Sequence, residues 1–443
     1  MKLISSYRVK IKHYNYIFKD TISLYRRAVD FFLTVALEHW DELSQEKGAK
    51  ARLSMMERLT IKTKENPEPI HDFGKDFYKF PSLLRRAAIN EANGKVSSYK
   101  SNLANWEDDP KGKAPSLQKA GYTYPALYRR NMFRQTGTYH AQLKVWVRNT
   151  WDWIDVELRK SDMDYIQHHC KGRTACVPTL RKRGKEWYLD FVFTETQTLN
   201  DTGIHERRIL TVDLGVNSPC VCSVMDSRGT IYGRHFCKLP KETDSLQHAI
   251  NRIKKAQQHG AGKMPRLWER AKGINQDIAV KTATFIIDIA ILYNTDVIVF
   301  EHLELNGKKR GSKKQKLHLW KACSIQRMVT DKAHRLAMRI SHVNAWNTSA
   351  LAFDGSGSVE RGTYRQDGKE KYNYSICVFP NGKTYHCDLN ASYNIGARYF
   401  IREILKSLPE RERLVIEAKV PQCTKRSTCT LSTLISLNAE LTA

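Results

Sequence analysis

The sequence lacks any long apolar run. No window of its 443 residues approaches the roughly 18 consecutive apolar residues that a membrane-spanning helix needs. The nearest stretch, Thr284 to Tyr293, is too short and contains Asp288. The opening MKLISSYRVK has no apolar core of signal-peptide length. Cysteine is present without pattern. The ten cysteines are scattered, and no spacing implies a disulfide framework, so free thiols in a reducing cytoplasm are expected. Acid is the scarce charge: 46 Asp plus Glu face 73 Lys plus Arg, a net charge of +27. An excess of that size repels itself unless a polyanion neutralises it, which makes nucleic acid the first reading and an anionic membrane surface the second. A 41% hydrophobic and 10% aromatic content excludes a disordered basic tail. The length suits about two to four domains with real cores.

The chain opens on a strand pattern. Tyr7, Val9 and Ile11 alternate with Arg8, Lys10 and Lys12. From about Tyr16 the period lengthens, and Ile22, Leu24, Tyr25, Val29, Phe32, Leu33 and Ala36 predict an amphipathic helix. Helical patterning continues to about Trp106, where the polar, Pro-bracketed Glu107 to Pro115 marks a boundary. Alternation then returns at Leu143, Val145 and Val147, and RKRGKEWYLDFVF (Arg181 to Phe193) predicts a hairpin around Gly184. The first strand could pair with this region, making the helical block an insertion in a small β domain. FPSLLRR (Phe80 to Arg86) and YPALYRR (Tyr124 to Arg130) echo each other, but two copies do not make a repeat architecture.

From Arg208 three apolar segments, ILTVDLGV, PCVCSVM and TIYGRHF, predict consecutive antiparallel strands with a turn at Asp226 to Gly229. A long helical region follows, then the apolar strand DVIVFEHLE. Lys308, Lys309, Arg310, Lys313, Lys314 and Lys316 form a basic loop, and a helix is expected from about Lys316 to Ile340. A Gly-rich polar stretch, Asp354 to Lys383, precedes the helical DLNASYNIGARYFIREIL. The Ser/Thr-rich residues from Pro421 are expected to be a mobile tail.

Three acids stand out by position. Asp213 ends ILTV, Glu301 ends VIVF, and Asp388 opens the late helix. Each alone reads as a solvated turn residue or an N-cap. Together they follow the element order of an RNase H-like fold, in which the first and fourth strands end side by side. Phosphodiester hydrolysis must activate water and neutralise a pentacovalent phosphate. Two divalent ions about 4 Å apart do both, and hard oxygen ligands suit Mg²⁺ or Mn²⁺. Asp213 is the expected bridging ligand, with Glu301 and Asp388 on either side. A Glu in the middle, not last, favours a RuvC-type nuclease over a DDE strand-transfer enzyme.

TVDLGVNSPCVCSV (Thr211 to Val224), VIVFEHLEL (Val297 to Leu305) and DLNASYNIGAR (Asp388 to Arg398) resemble the three RuvC motifs of TnpB proteins of insertion sequences. They equally resemble the miniature type V CRISPR effectors. INQDIAVKTATFIIDIA and WNTSALA support the match, which is specific from about Ile209 to Ile404. The resemblance implies an α+β multidomain chain, with a RuvC nuclease domain plus a small β-barrel wedge domain carrying a helical recognition insertion. The implied boundaries are wedge 1–14 and 113–206, recognition lobe 15–112, RuvC 207–346 and 387–420, a target-nucleic-acid-binding insertion 347–386, and a tail 421–443. That insertion normally carries a CxxC…CxxC zinc ribbon. Here the first pair would fall near Ala352 and Gly355 and the second near Val378 and Asn381, with Cys377 one residue off and Cys387 beside Asp388. Four thiolates cannot be assembled, so no zinc is expected there. His168, His169, Cys170 and Cys176 are too poorly spaced to replace it.

The implied activity is an RNA-guided DNA endonuclease in the bacterial cytoplasm, nucleoid-associated. Guide RNA would pair with the target strand of double-stranded DNA next to a short flanking motif. A single RuvC site would then cut the strands in turn. The protein would work as a monomer or as a dimer on one guide. Two polyanions account for the charge, with Arg85, Arg86, Arg129, Arg130, Lys144, Arg148, Arg181, Lys182, Arg183, Lys308, Lys309 and Arg310 as candidate phosphate contacts. Trp106, Trp146, Trp151, Trp153 and Trp187 are candidate base-stacking or core residues. Two other readings compete: a guide-dependent DNA-binding repressor and a guide-free junction nuclease. Presence of all three acids disfavours the first, and the helical insertion disfavours the second.

Overall fold

In the computed structural model, residues 1–13, 16–110, 112–215, 218–303, 320–366 and 368–442 are described. The chain divides into two units, one of residues 2–195 and one of residues 196–443 together with Met1.

The first unit opens on β1 (Lys2–Lys10) and continues into α1 (Ile17–Glu38). Phe18, Ile22, Tyr25, Val29, Phe32 and Ala36 recur at steps of three and four, and all are buried. Next come α2 (Trp40–Gln45), α3 (Ala49–Thr60), α4 (Phe73–Asp76) and the long α5 (Ser82–Asp108). The Asp72 side chain caps α4 by accepting from Gly74 N at 2.9 Å. Leu84, Ala88, Ile89, Ala92 and Val96 of α5 bury one stripe, and α5 packs on α1. The alanines in the stripe let the two helices approach closely.

The unit's remaining elements are β2 (Phe133–Gln135), β3 (His140–Val147), β4 (Thr150–Glu157), α6 (Lys160–His169), β5 (Thr174–Ala175), β6 (Thr179–Arg183) and β7 (Glu186–Thr196). Arg148 and Asn149, at φ 47° and 60°, form the two-residue turn of the β3–β4 hairpin. Gly184, at φ 59°, turns β6 into β7, the hairpin expected from the sequence. β1 pairs with β7, as its alternation allowed. The expected single barrel is not closed, however. Among the described residues the strands form two sheets, one of β1, β7, β5 and β6 and one of β2, β3 and β4. Among the described residues a single bridge, Ile11–Leu158, just past the ends of β1 and β4, links the two groups. The reason is local. β7 has both edges occupied, and the chain turns into α6 two residues after β4 ends, so no further ladder can form.

The second unit is built on β8 (Ile209–Asp213), β9 (Val221–Met225), β10 (Ile231–Phe236), α7 (Pro240–Gln258), α8 (Pro265–Leu292), β11 (Val297–His302), α9 (Ala322–Arg335) and β12 (Arg339–Asn344). After them come β13 (Glu360–Gln366), β14 (Lys369–Val378), β15 (Thr384–His386), α10 (Cys387–Ser407), α11 (Glu410–Lys419) and α12 (Leu431–Thr442). The central sheet has the order β10-β9-β8-β11-β12, with β8, β11 and β12 parallel. Its two faces carry separate cores. Leu210, Val212, Ile298 and Phe300 pack with α8 and α9, while Ile209, Val297 and Val299 pack with α10 and α12. Burial on both faces explains why these strands are unbroken apolar runs.

Two expectations need correction here. The helix expected from Lys316 to Ile340 is described only as α9. Ala337, at φ 62°, ends the turn after it, and the chain then becomes the parallel edge strand β12. That strand, RISHVN, carries too few apolar residues to announce itself, because only one of its edges is paired. The residues after Pro421 are not a mobile tail. Leu431, Leu434 and Leu437 line one face of α12 and are buried in the core with α10.

Candidate active site

Asp213 and Glu301 are placed by the register of β8 on β11. Ile209 lies opposite Val297 and Val212 opposite Phe300, so the two acids follow side by side at the carboxyl ends of parallel neighbours. The third acid, Asp388, sits in the first turn of α10. That helix is buried on nearly every side and lies hard against the sheet. At Gly396 a Cβ would come within 2.3 Å of Met225 Sδ and 2.6 Å of Thr211 Cγ2, so only glycine permits this approach. The hydroxyls of Ser392 and Ser223 bond across the same contact.

The three carboxylates are half-buried and act on one another. Burial holds Asp213 well above the usual carboxylate range, the charges of Glu301 and Asp388 push it further up, and the Arg361 guanidinium opposes them. Burial also raises Glu301, partly offset by the Thr348 hydroxyl and the Arg398 charge. Among the described residues the acids are not a single tight cage, since the one trio with all ligand atoms within 4.8 Å lies elsewhere, at Glu38, His39 and His71. A spread set of hard oxygen donors, with the charges of Glu301 and Asp388 both acting on Asp213, fits divalent cations, whose charge would reverse that repulsion.

Around the acids runs a hydrogen-bonded frame the sequence did not disclose. Thr348 Oγ1 bonds Glu301 Oε1, and Gln326 Nε2 donates to the Glu301 backbone carbonyl at 2.9 Å. Asn394 Nδ2 donates to the carbonyls of Thr348 and Leu351, both at 2.9 Å, and its Oδ1 accepts from Leu431 N at 3.3 Å. Asn390 accepts from Phe353 N and donates to Leu351 O, both at 2.8 Å. Arg398 donates to four carbonyls: Asn344 and Trp346 at 2.7 Å, Ser427 at 3.0 Å and Cys429 at 3.1 Å. Asn390, Asn394 and Arg398 recur every four residues, one face of α10. That spacing within DLNASYNIGAR was the available signal. Its partners, 344–353 and 427–431, could be found only by folding.

Arg361 was also missed. It stands on β13 and donates to Ser349 O at 2.7 Å. The insertion that carries it is a three-stranded sheet, β13-β14-β15, over an apolar cluster of Ala352, Cys377, Phe379 and Cys387. The Cys377 thiol bonds Tyr385 O at 3.4 Å and the Cys387 thiol bonds Tyr374 O at 3.5 Å.

The basic candidates are dispersed, not gathered. Arg85 and Arg86 both pair with Glu57, at 3.2 and 3.0 Å. Arg181 pairs with Asp190 at 3.0 Å and stacks over Tyr124, and Lys182 lies over Trp187. Arg129 donates to Cys176 O at 3.3 Å. Arg129, Arg130, Arg148 and Arg183 are exposed, and Lys144 is half-buried. Lys308, Lys309 and Arg310 lie outside the described residues. Of the tryptophans, Trp187 is fully buried against Phe18, and Trp151 packs on Phe80 and Trp146. Trp106 and Trp153 are half-buried, the latter under Arg134.

Residues 5–147 match the model of the Aq_aa04 family. An uncharacterized protein of Aquifex aeolicus, aq_aa04, is 32% identical over 123 residues, covering 25% of this chain and 68% of that protein. A TnpB-like protein of the same organism, aq_aa05, is 30% identical over 240 residues, covering 48% of this chain and 74% of that protein. The chain belongs to the TnpB-like family. The TnpB-like fold also resembles the cryo-EM structure of a Cas12f1–sgRNA–target DNA complex, at TM-score 0.50 and 14% identity over 86% of this chain and 81% of that one. Among its described residues no helix is long and apolar enough to cross a membrane.

Proposed function

We propose that this TnpB-like chain is an RNA-guided DNA endonuclease whose single RuvC-type site cuts DNA phosphodiesters. The observation that carries the reading is the convergence of Asp213, Glu301 and Asp388 from two parallel strand ends and one helix start. Family membership and a net charge of +27 support it. The charge suits two polyanions, a guide RNA and a double-stranded DNA target.

Asp213, reached by the charges of both other acids, would hold Mg²⁺ or Mn²⁺ together with Glu301 and Asp388. When bound, the ions supply an activated water and neutralise charge on the phosphate. The chain's own residues set the geometry. Thr348 fixes the Glu301 carboxylate, and the frame from Asn390 to Arg398 holds the helix that presents Asp388. Arg361, whose charge reaches Asp213, would meet the developing negative charge of the scissile phosphate. The basic residues named above would hold the backbones, most simply through those still exposed: Arg129, Arg130, Arg148 and Arg183.

The test is to express the protein with its native flanking DNA, sequence the RNA it retains, and offer a plasmid matching that RNA's 3′ portion. A discrete RNA and magnesium-dependent cutting are expected. Cutting without RNA would overturn guidance, and an Asp213→Ala protein that still nicks the plasmid would overturn the site.

A further inference from the structure

The described residues contain one trio with the geometry of a metal cage, and it lies in the first unit, whereas the three acids belong to the second. Glu38 ends α1, His39 follows it, and His71 stands just before α4. Nε2 of His39 and Nε2 of His71 face each other at 3.2 Å. Glu38 Oε2 lies 3.6 Å from the same His71 nitrogen. A tetrahedral ion bound at about 2.0–2.1 Å separates its ligand atoms by roughly 3.3–3.4 Å. The two measured spacings bracket that value. Glu42 Oε1 lies 3.9 Å from His39 Nδ1, the nitrogen that faces away from the cage.

The trio is held in register by its surroundings. Phe32, two helical turns before His39, stacks on Phe73, two residues beyond His71, at 4.8 Å between ring centres. The His71 backbone N–H donates to Leu59 O at 3.0 Å. The segment bearing His71 is thus held by α3 at His71 itself and by α1 at Phe73. Both imidazoles are largely covered, at 16% and 22% side-chain exposure, while Glu38 at 57% leaves an open side for a fourth ligand such as water. The donor set is two imidazoles and one carboxylate, borderline in hardness, which selects Zn²⁺-class ions over Mg²⁺.

We propose that Glu38, His39 and His71 bind one Zn²⁺-class divalent ion. It cross-links the end of α1 to the segment between α3 and α4. The site is independent of the nuclease reading. Residues 62–70 bury none of their side chains fully, so the ion would fasten a stretch that apolar packing leaves loose.

The test uses the full-length, tag-free protein, stripped with chelator and titrated with Zn²⁺ alone in excess Mg²⁺, which occupies hard oxygen sites. One bound Zn²⁺ per chain is expected, with slowed amide exchange across residues 60–72. Substituting Co²⁺ should give the intense visible bands of a tetrahedral ion, without the near-ultraviolet thiolate bands of a cysteine site. His71→Asn should abolish the bound ion. Glu38→Gln, at a surface position that leaves the fold intact, should weaken it by roughly tenfold or more. Asp213→Ala should leave it unchanged. Zinc binding that survives His71→Asn, thiolate bands, or no binding at micromolar Zn²⁺ would each overturn the proposal. The last outcome would make the pair a plain histidine–histidine hydrogen bond.

Discussion

The two units handle charge in opposite ways. In residues 196–443 three carboxylates from positions far apart in sequence are brought near enough for the charges of Glu301 and Asp388 to act on Asp213, and the fold tolerates the repulsion. In residues 2–195 the cations are spread out, and several are already matched: Arg85 and Arg86 to Glu57, Arg181 to Asp190, Arg173 to Glu195. Concentrated like charge in a buried place is unfavourable for folding and fits a site awaiting counter-charge. Dispersed, paired charge is what a stable surface looks like. The contrast separates a catalytic candidate from a candidate binding surface, and it can be tested at each end.

The largest effect should come from Asp213. Asp213→Ala is expected to abolish cleavage while guide and target binding persist, as read by nicking and by gel shift. The same site predicts a pH signature. The folded carboxyl titrates above its unfolded value, so the ionised group destabilises. That penalty is absent below the unfolded pKa and complete above the folded one. Metal-free Asp213→Asn should therefore melt higher than wild type at neutral pH, and the gap should close as pH falls toward the ordinary carboxylate range. Saturating Mg²⁺ should raise the wild-type melting temperature more than the variant's. Equal melting temperatures at all pH values would dissolve the contrast between the units.

Next in size is Leu434→Ala in α12, a fully buried position. It should cost about 2–5 kcal/mol by chemical denaturation. It should also lower cleavage, because α12 follows the segment that binds Asn394 and Arg398. Gly396→Ala should destabilise by about 1–3 kcal/mol through overpacking on Met225 and Thr211. Alanine's helix preference works the other way by roughly 1 kcal/mol. A stabilised Gly396→Ala would mean that α10 does not sit as tightly on the sheet as described. The smallest effect belongs to the other unit. Arg183→Ala should leave stability within about 0.5 kcal/mol and reduce the salt dependence of nucleic-acid binding by about one phosphate contact. Arg85→Ala, at a half-buried ion pair, should instead lower the melting temperature. If the two behave alike, pairing is a poor guide to which cations bind.

Much of the second unit was readable in sequence. ILTVD and VIVFE announce strands buried on both faces that end in an acid, and two parallel runs of this kind are hard to place except side by side. The turn at Asp226 and the Gly184 hairpin were equally plain, since turn chemistry is local. β12 and α12 were not readable. One is an edge strand with few apolar residues, and the other hides a three-residue apolar face among Ser and Thr. The closed barrel failed for a related reason. Strand patterns say which face is apolar but not how far each edge continues, and here α6 interrupts the circuit.

The identity of the three acids, their order and the elements that carry them were determined by the sequence alone, because alternation, helical period and turn preference are properties of neighbouring residues. The tertiary structure decided what surrounds them. Thr348 on Glu301, Arg398 on four carbonyls, the Arg361 charge acting on Asp213, and His39 against His71 all join residues with no local relation. Hydrogen bonds and charge act over a few ångströms of space, and only a folded chain brings residues that far apart in sequence within that range.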